Sequence, residues 1–285
     1  MGRIGTVKQA FENMDAELKL HHYKVREFEP KIRLGFTKGH FTVKTVDAPE
    51  ELEAALRLRF MIFHKEYMQK RRSSGVDVDK LDFVCDHLII RDDRSGEIVG
   101  TYRLNSSTYS DTFYSSGEFE IDELLAQPGN KLELGRACIS KDYRTGVVIA
   151  LLWRGISEYM LQTKTDIMFG CASVKTIEPL EIGLVTYHLM QKNVVCFDYG
   201  VTPTRKYKVK SLKKVLDYIE KNPYEYNEET VAKMVPSLFQ SYIKMGIKVY
   251  GEPALDRDFH CIDFLVVMKT AEMLGSYKRR YAGDQ

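Results

Sequence analysis

One stretch of the chain combines a strand pattern with two charged side chains: residues 132–140, LELGRACIS. Its apolar residues predict a buried strand, yet Glu133 and Arg136 lie within it. Side chains alternate between the two faces of a regular strand, so residues three apart point to opposite faces. A bulge at Gly135 would bring both charged side chains to one face and splay the backbone amides that follow. We therefore expect a kinked central strand with a polar site at the kink.

Strand and helix patterns alternate on either side of this central strand. Helices are predicted at about 47–67, 147–162 and 178–191, with a short one at 237–245. Further strands are predicted at 41–46, 87–91, 98–105, 167–172, 248–251 and 260–269. This order predicts an α/β (α+β) fold with a mixed central sheet and helices on both faces.

The length of 285 residues exceeds the needs of one small domain and predicts one large domain with extensions. We expect an N-terminal extension at residues 1–40 and the main domain at 41–270. Within the main domain, the charged and proline-containing stretch at about 202–235 is interpreted as a helical insertion. Residues 271–285 form a basic C-terminal tail.

Composition and charge exclude several classes of protein. A formal net charge of +2 gives no general attraction to nucleic acid. The chain has no apolar run long enough to span a membrane, and residues 1–16 lack the apolar core of a secretion signal. The five cysteines show no C-x-x-C spacing, and the seven histidines do not cluster. These features predict a cytoplasmic protein with reduced cysteines and no structural metal.

Besides the central strand, three places carry charged residues where the pattern is otherwise apolar or strand-like. Arg59 lies on the apolar face of the first helix, and Arg103 lies within a strand. Asp79 and Asp82 follow that helix in an acidic run that also includes Asp77 and Asp86. Each has an ordinary interpretation: a snorkelling arginine, solvated loop carboxylates or a local ion pair. Together with Glu133 and Arg136, however, they lie on elements that can meet at the mouth of one cleft.

The stretches that hold these residues resemble one protein family, the Gcn5-related N-acyltransferase (GNAT) superfamily. More narrowly, they resemble the branch of ornithine lipid N-acyltransferases and proteins labelled hemolysin-like, which is similar to acyl-homoserine lactone and N-acyl amino acid synthases. The resemblance covers roughly residues 41–269 and implies a mixed, mostly antiparallel central sheet with a splayed central strand pair and helices on both faces. It is carried by LRLRFMIFHKEY (56–67), DVDKLDFVCDHLII (77–90), EIVGTYRL (97–104), LELGRACISKDYRTGVVIALLWRGISEY (132–159) and SYIKMGIKVYGEPALDRDFHCIDFLVV (241–267).

The resemblance implies roles for the polar residues already noted. Glu133 and Arg136 would be catalytic, with Glu133 taking the proton from an attacking amine. Arg136, Arg103 or Arg59 would bind the acceptor carboxylate, because guanidinium suits two-point binding. The backbone amides of Ala137, Cys138 and Ile139 would contact the donor and stabilise the oxyanion. The implied substrate-binding set is Arg59, Phe63, Asp79, Asp82 and Arg103.

The donor end of the implied site departs from the pattern of acetyl-CoA-dependent members. Those members cradle the pyrophosphate on a glycine-rich turn at a helix N-terminus. Here the corresponding residues 144–149, RTGVVI, retain only Arg144 and Gly146 of that pattern. A donor carried on acyl carrier protein has no such pyrophosphate, so this departure and the resemblance both favour it. With Lys141, these residues are assigned to donor binding.

The resulting hypothesis is an N-acyltransferase that moves a fatty acyl group from a thioester to the amine of a small amino compound such as ornithine. We expect no tightly bound cofactor, only the thioester on acyl carrier protein or CoA, and no nucleic-acid partner. A signal synthase of the lactone or acyl amino acid type is the alternative within the class. The lactone synthases carry a tryptophan before the acidic pair, whereas the one tryptophan here is Trp153.

A membrane-surface protein without catalytic activity is the alternative from another class. Lys278, Arg279 and Arg280 of the tail would then contact anionic lipid. The same basic residues would allow an enzyme a peripheral contact with the inner face of the membrane.

Overall fold

The computed structural model describes residues 24–68 and 75–272. Packing divides the chain into two compact units. Unit 1 contains the described residues up to Arg103 together with Arg136–Gly155, and unit 2 contains Leu104–Gly135 and the residues from Ile156 onward. The predicted 132–140 strand therefore begins in unit 2 and ends in unit 1. The basic tail residues expected to contact lipid lie outside the described residues.

Unit 1 is built on antiparallel strands that precede and follow one helix. Strand β1 pairs with β2, and β2 pairs with β3, so that Val43 lies opposite Ile90. The side chains of β2 alternate between buried and half-buried, as expected for a strand that covers a core with one face. The elements are β1 (Gly35–Lys38), β2 (Phe41–Thr45), α1 (Pro49–Phe60) with its π-helical continuation (Met61–Tyr67), a 3₁₀ turn (Lys80–Phe83), β3 (Asp86–Asp92) and β4 (Ile98–Ser106), whose last three residues belong to unit 2.

Helix α1 buries one apolar stripe in the core of unit 1. Pro49 at its first turn and the acids Glu50 and Glu51 favour its start, because they suit the free N–H groups and the dipole there. Leu52 and Leu56 recur at helical spacing and are fully buried. Arg59 continues the same stripe, so the periodicity that buries the leucines also buries this guanidinium.

Unit 2 contains a mostly antiparallel sheet in which β7 pairs with β11 and β11 with β10. The pairs β6–β7 and β10–β8 are parallel, and β5 and β9 form a separate small sheet. Its strands are β5 (Phe119–Glu120), β6 (Asn130–Ile139, whose end belongs to unit 1), β7 (Thr165–Val174), β8 (Val195–Cys196), β9 (Thr202–Pro203), β10 (Lys248–Asp256) and β11 (Cys261–Lys269). Its helices are α2 (Asp122–Leu125), the end of α3 (Gly146–Thr163), α4 (Pro179–Gln191), α5 (Leu212–Lys221), α6 (Glu228–Met234) and α7 (Ser237–Lys244).

The predicted class, a mixed and mostly antiparallel α/β arrangement, is confirmed. The patterns missed β1, whose four residues show no buried alternation, and β5, β8 and β9, because two residues carry no alternation. The central strand has a left-handed backbone at Arg136, with a φ of 51°, directly after the Gly135 at which a bulge was predicted. Its register with β7 shifts at a different place, between Asn130 and Lys131. Among the described residues, no helix is both long and apolar enough to cross a bilayer.

The parallel pair β6–β7 approaches very closely at one glycine. The paired residues of the two strands run from Asn130 opposite Thr165 to Glu133 opposite Phe169. At the next residue of β7, a Cβ on Gly170 would lie 2.2 Å from the carbonyl oxygen of Leu134. A backbone atom cannot move away as a side-chain end can, so this position requires glycine.

We predict that Gly170→Ala lowers the stability of the fold. The added methyl group forces β6 and β7 apart, which is expected to cost about 1 to 3 kcal/mol, as other overpacked sites do. The measurement is the free energy of unfolding in urea, with Gly117→Ala as the matched control, because no atom lies within 4 Å of a Cβ there. Equal stability of the two variants would contradict the close approach.

Candidate active site

A fully buried arginine joins α1 to the segment that precedes β3. The Nε and Nη2 atoms of Arg59 donate to Asp77 Oδ2 at 2.9 and 2.7 Å. Its Nη1 atom donates to Asp82 Oδ1 at 2.7 Å. Arg59 and Asp82 are both 0% exposed, so this is a two-carboxylate clamp on one guanidinium inside unit 1. His64 Nε2 adds a contact of 3.0 Å to Asp77 Oδ1.

The pair Asp79 and Asp82 forms a reciprocal cap on the 3₁₀ turn at Lys80–Phe83. The Asp79 carboxylate accepts from Leu81 N at 2.8 Å, and Asp82 Oδ2 accepts from Asp79 N at 2.7 Å. This is the capping-box arrangement, with aspartate at the third turn position. The capping box therefore explains the Asp-x-x-Asp spacing. It also directs both carboxylates toward the arginines of unit 1.

Two further arginines contact this acidic pair. Arg103 Nη1 lies 2.8 Å from both oxygens of Asp79 and 3.0 Å from Asp82 Oδ1. Arg136 Nη2 donates to Asp79 Oδ2 at 3.0 Å, and its Nε atom lies 3.5 Å from Asp77. We call the six residues the arginine network: Arg59, Asp77, Asp79, Asp82, Arg103 and Arg136.

The arginine network stabilises its carboxylates in the charged form. Burial works to raise the pKa of Asp82, but the charges of Arg59 and Arg103 hold that pKa far below its usual range. Burial also works to raise the pKa of Asp77, but His64 and Arg59 lower that pKa below its usual range. Burial works to lower the pKa of Arg103, whereas Asp82 and Asp79 raise it. Each buried charge is thus compensated by its neighbours.

Two members of the network reach the solvent. The side chain of Asp79 is 30% exposed and that of Arg136 is 15% exposed, whereas Arg59 and Arg103 are at most 3% exposed. Sequence reasoning selected five of the six members as site residues and noted the sixth, Asp77, only as part of an acidic run. All six come together in unit 1. Of the three arginines expected as candidates for the acceptor carboxylate, Arg59 already donates from all three of its guanidinium nitrogens to carboxylates of the network.

The predicted donor residues of unit 1 lie around the start of α3. Cys138 is buried, and burial raises the pKa of its thiol to about 12, so it stays a thiol. Arg144 donates to the carboxylate of Glu66 at 2.5 and 2.7 Å and to the Ile139 carbonyl at 3.1 Å. Its charge is therefore already partnered. Ala137 and Phe63 are half-buried, and Lys141 and Gly146 are exposed.

The predicted base Glu133 is buried in unit 2 and binds backbone amides. Its Oε2 accepts from Tyr114 N at 2.8 Å and its Oε1 from Ser115 N at 2.7 Å. The carboxylate thus fixes the turn at Ser115–Gly117. That Glu133 shares a cleft with Arg103, Arg136 and Asp82 remains a prediction.

Sequence reasoning missed a second group of acids, which lies inside unit 2. We call it the acidic cluster. Asp263 interrupts the apolar run 261–268, and that interruption was its signal in the sequence. Glu118 had no comparable signal, because it lies in a short polar segment before β5. The cluster consists of Glu118, Cys171, Asp256, Cys261 and Asp263.

We predict that Asp82→Asn destabilises unit 1 by about 3 to 5 kcal/mol at pH 7, because it removes one partner of buried arginines. Asp82 has a lowered pKa, so its contribution is present above the unfolded-state pKa, near 3.9, and is lost as the pH falls toward the folded-state value. The difference between parent and variant in urea unfolding should therefore shrink only below about pH 4. The control is Asp93→Asn, whose carboxylate pairs at the surface with Arg91. Equal stability of the parent and Asp82→Asn at pH 7 would show that the network is not structural.

Comparison with known proteins gives a family for this chain. A GNAT acetyltransferase domain model matches residues 58–154. An L-ornithine N(alpha)-acyltransferase from Rhizobium meliloti (strain 1021) is 32% identical over 82% of this chain and 81% of its own length. Its counterpart from Agrobacterium fabrum (strain C58 / ATCC 33970) is 30% identical over 82% of each chain. Among solved structures, a CoA-dependent acyl-homoserine lactone synthase, BjaI, matches with a TM-score of 0.45 and 16% identity, covering 83% of this chain and 84% of that one.

The domain model and the two acyltransferase relatives confirm the resemblance seen in the sequence and the expectation of an enzyme. The alternative of a non-catalytic membrane-surface protein is accordingly set aside. With relatives 30% and 32% identical across about four fifths of its length, the chain belongs to the L-ornithine N(alpha)-acyltransferase family of GNAT proteins and is an N-acyltransferase.

Proposed function

We propose that this enzyme transfers a fatty acyl group from a thioester, preferably on acyl carrier protein, to the α-amine of ornithine. The observation that carries the acceptor is the 32% identity to an L-ornithine N(alpha)-acyltransferase across 82% of the chain. In the reaction the neutral amine attacks the thioester carbonyl, the new C–N bond forms and the C–S bond breaks. The amine proton passes to a base, and the thiolate leaves with a proton.

The exposed edge of the arginine network is the part suited to the acceptor carboxylate. Arg136 and Asp79 reach solvent, and the left-handed backbone at Arg136 turns this residue out of the regular strand alternation. An incoming carboxylate can share the Arg136 guanidinium with Asp79. Arg59, Asp82 and Arg103 then act as positioning residues, because they hold the two exposed side chains.

Glu133 remains the proposed proton acceptor. Each carboxylate oxygen has a second lone pair, so the bonds from Tyr114 and Ser115 leave room for one more donor. Those two bonds also fix the orientation of the carboxylate, as a base requires. The backbone amides at Ala137, Cys138 and Ile139 are proposed to stabilise the oxyanion.

The region at the start of α3 supports the choice of acyl carrier protein as donor. Arg144 is the basic residue retained from the phosphate-binding pattern, and Glu66 already neutralises it. A CoA pyrophosphate would have to displace this ion pair, whereas a carrier protein brings its own contact surface. Lys141 is exposed beside it and available for an acidic partner. Such a donor places the reaction in the cytoplasm, and an acylated, lipid-like product favours contact with the inner face of the membrane.

We predict that acyl carrier protein exceeds acyl-CoA of the same chain as donor by roughly tenfold or more in kcat/KM, equivalent to about 1.4 kcal/mol. The assay incubates the purified chain with each donor and ornithine, and mass spectrometry locates the acyl group on the α-nitrogen. A faster reaction with acyl-CoA would overturn the donor, and acylation of the δ-nitrogen would overturn the proposed regiochemistry.

A charge reversal separates carrier recognition from chemistry in the same assay. Lys141→Glu should raise KM for the acyl carrier protein donor and leave a short pantetheine thioester nearly unaffected, because the latter has no protein surface. The control is Lys214→Glu on the exposed side of α5. An equal loss on both donors would place Lys141 in the chemistry and not in the recognition of the carrier.

A further inference from the structure

A strongly basic segment of unit 2 lies between β9 and the first turn of α5. Residues 205–214, RKYKVKSLKK, contain six lysine or arginine residues and no acid. We call this stretch the basic segment. Its six basic side chains are all exposed: Arg205, Lys206, Lys208, Lys210, Lys213 and Lys214.

The backbone of the basic segment is fixed to the sheet of unit 2. The carbonyl of Tyr207 accepts from Leu255 N at 2.6 Å, and Lys208 forms an antiparallel bridge with Ala254 of β10. Val209, the next residue, is buried. The apolar side chains of the segment therefore point into unit 2, and the basic side chains between them share an outer face.

The apolar side of α5 is already covered by α4. A Cβ on Gly183 of α4 would lie 2.4 Å from Val215 Cγ1 and 3.1 Å from Ile219 Cδ1, so the two helices pack closely. Leu212 and Ile219 are buried. A partner of the basic segment would therefore be bound through its charge and not through insertion of this helix.

Most of the positive charge of the basic segment has no counter-charge in the described part of the chain. Asp217 pairs with Lys213 at 3.0 Å, on the following turn of α5. The other five basic side chains form no ion pair with any described residue. The segment therefore presents an outward face with an excess of positive charge.

The start of α5 adds to this excess. The free N–H groups and the dipole at a helix N-terminus favour negative charge. The first turn of α5 has no acid, and Ser211 before it makes no side-chain cap hydrogen bond. Instead, Lys213 and Lys214 lie in that turn, and Lys210 precedes the cap. An anionic surface outside the protein would offset this unfavourable arrangement.

We propose that the basic segment binds the enzyme to an anionic lipid bilayer, with its lysine side chains among the headgroup phosphates. Clusters of about four to eight basic residues are typical of attraction to such bilayers, and each one strengthens binding by roughly fivefold. The purpose of the contact rests on the proposed function, because a fatty-acylated amino acid partitions into a bilayer.

An anionic bilayer fits the basic segment better than an acidic protein does. Protein interfaces centre on aromatic residues, methionine and arginine, and they are depleted of lysine. Five of the six basic residues here are lysines, and the apolar side chains Val209 and Leu212 are already buried in unit 2. Lysine is a compact charge on a flexible stem, which suits headgroups that have no fixed geometry.

The experiment measures co-sedimentation of the full chain with vesicles. One preparation contains equal parts of phosphatidylglycerol and phosphatidylcholine, and the neutral reference is phosphatidylcholine alone. The parent should bind the anionic vesicles, and this binding should weaken as salt screens the charges. The double variant Lys208→Gln/Lys210→Gln should lower the partition coefficient by roughly tenfold or more, because two cations are lost.

The matched control is Lys164→Gln/Lys244→Gln, which removes the same charge from two exposed lysines of unit 2. Lys244 lies shortly before β10 begins, whereas Lys208 is bridged to Ala254 close to the end of that strand. This control should bind the anionic vesicles as the parent does.

Three results would overturn the proposal. The first is equal binding of the parent to neutral and anionic vesicles, and the second is equal binding of the parent and Lys208→Gln/Lys210→Gln. In the second case, loss of binding on neutralising Lys278, Arg279 and Arg280 would assign the contact to the C-terminal tail. The third is a raised KM for acyl carrier protein in the double variant with unchanged vesicle binding, which would assign the segment to that acidic protein.

Activity without vesicles separates this inference from the proposed function. The double variant should acylate ornithine in solution with the kcat/KM of the parent and melt at the same temperature, because both side chains are exposed. Failure of the parent to acylate ornithine would refute the proposed function and leave the vesicle result unchanged.

Discussion

The ion pairs between Arg59 and the carboxylates of Asp77 and Asp82 are the constraint on which unit 1 depends. A guanidinium with no exposed surface is tolerated only because both acids approach it at 2.7 Å. The two acids follow α1 in the chain, so their pairing ties the segment before β3 to the helix. A buried ion pair adds little net stability compared with apolar residues, but removing one partner is costly. The network therefore contributes a fixed geometry more than it contributes stability.

That geometry determines which side chains of unit 1 are available to a substrate. Arg59 and Asp82 occupy the interior, Arg103 joins the pair, and Asp79 and Arg136 remain at the exposed edge. Unit 2 contains the opposite electrostatic arrangement. Glu118 and Asp263 are also buried there, and burial is the largest of the causes that raise the pKa of each.

The sequence predicted the central strand and nearly all longer elements, since their periodic apolar residues report directly on burial. It also selected Arg59, Asp79, Asp82 and Arg103, because charges on apolar faces stand out. It could not reveal that these residues pair with one another, since the partners lie 21 to 24 residues apart and pairing depends on packing. The spacing of Asp79 and Asp82 was interpreted as a sign of a binding site. The structure shows that the same spacing also caps the 3₁₀ turn at Lys80–Phe83.

Glu118 illustrates the limit of pattern reasoning. Its neighbours in sequence gave no periodic signal, and its surroundings arise from β7, β10 and β11, which are far away in the chain. Burial and the absence of a counter-charge are properties of the folded unit, so only the structure distinguishes Glu118 from the exposed Glu120. The same holds for Arg144, whose capture by Glu66 joins residues 78 positions apart.

The buried charges of unit 1 are paired with one another, which leaves Arg136 and Asp79 as the members of the arginine network that a substrate can reach. The most direct test is calorimetric titration of ornithine into the enzyme without donor at pH 7, with the parent and with Arg136→Gln. The variant loses the guanidinium that is proposed to bind the acceptor carboxylate, while Arg59, Asp82 and Arg103 keep their ion pairs. We expect the affinity for ornithine to fall by roughly tenfold or more in the variant. Equal affinity of the parent and the variant would contradict this assignment.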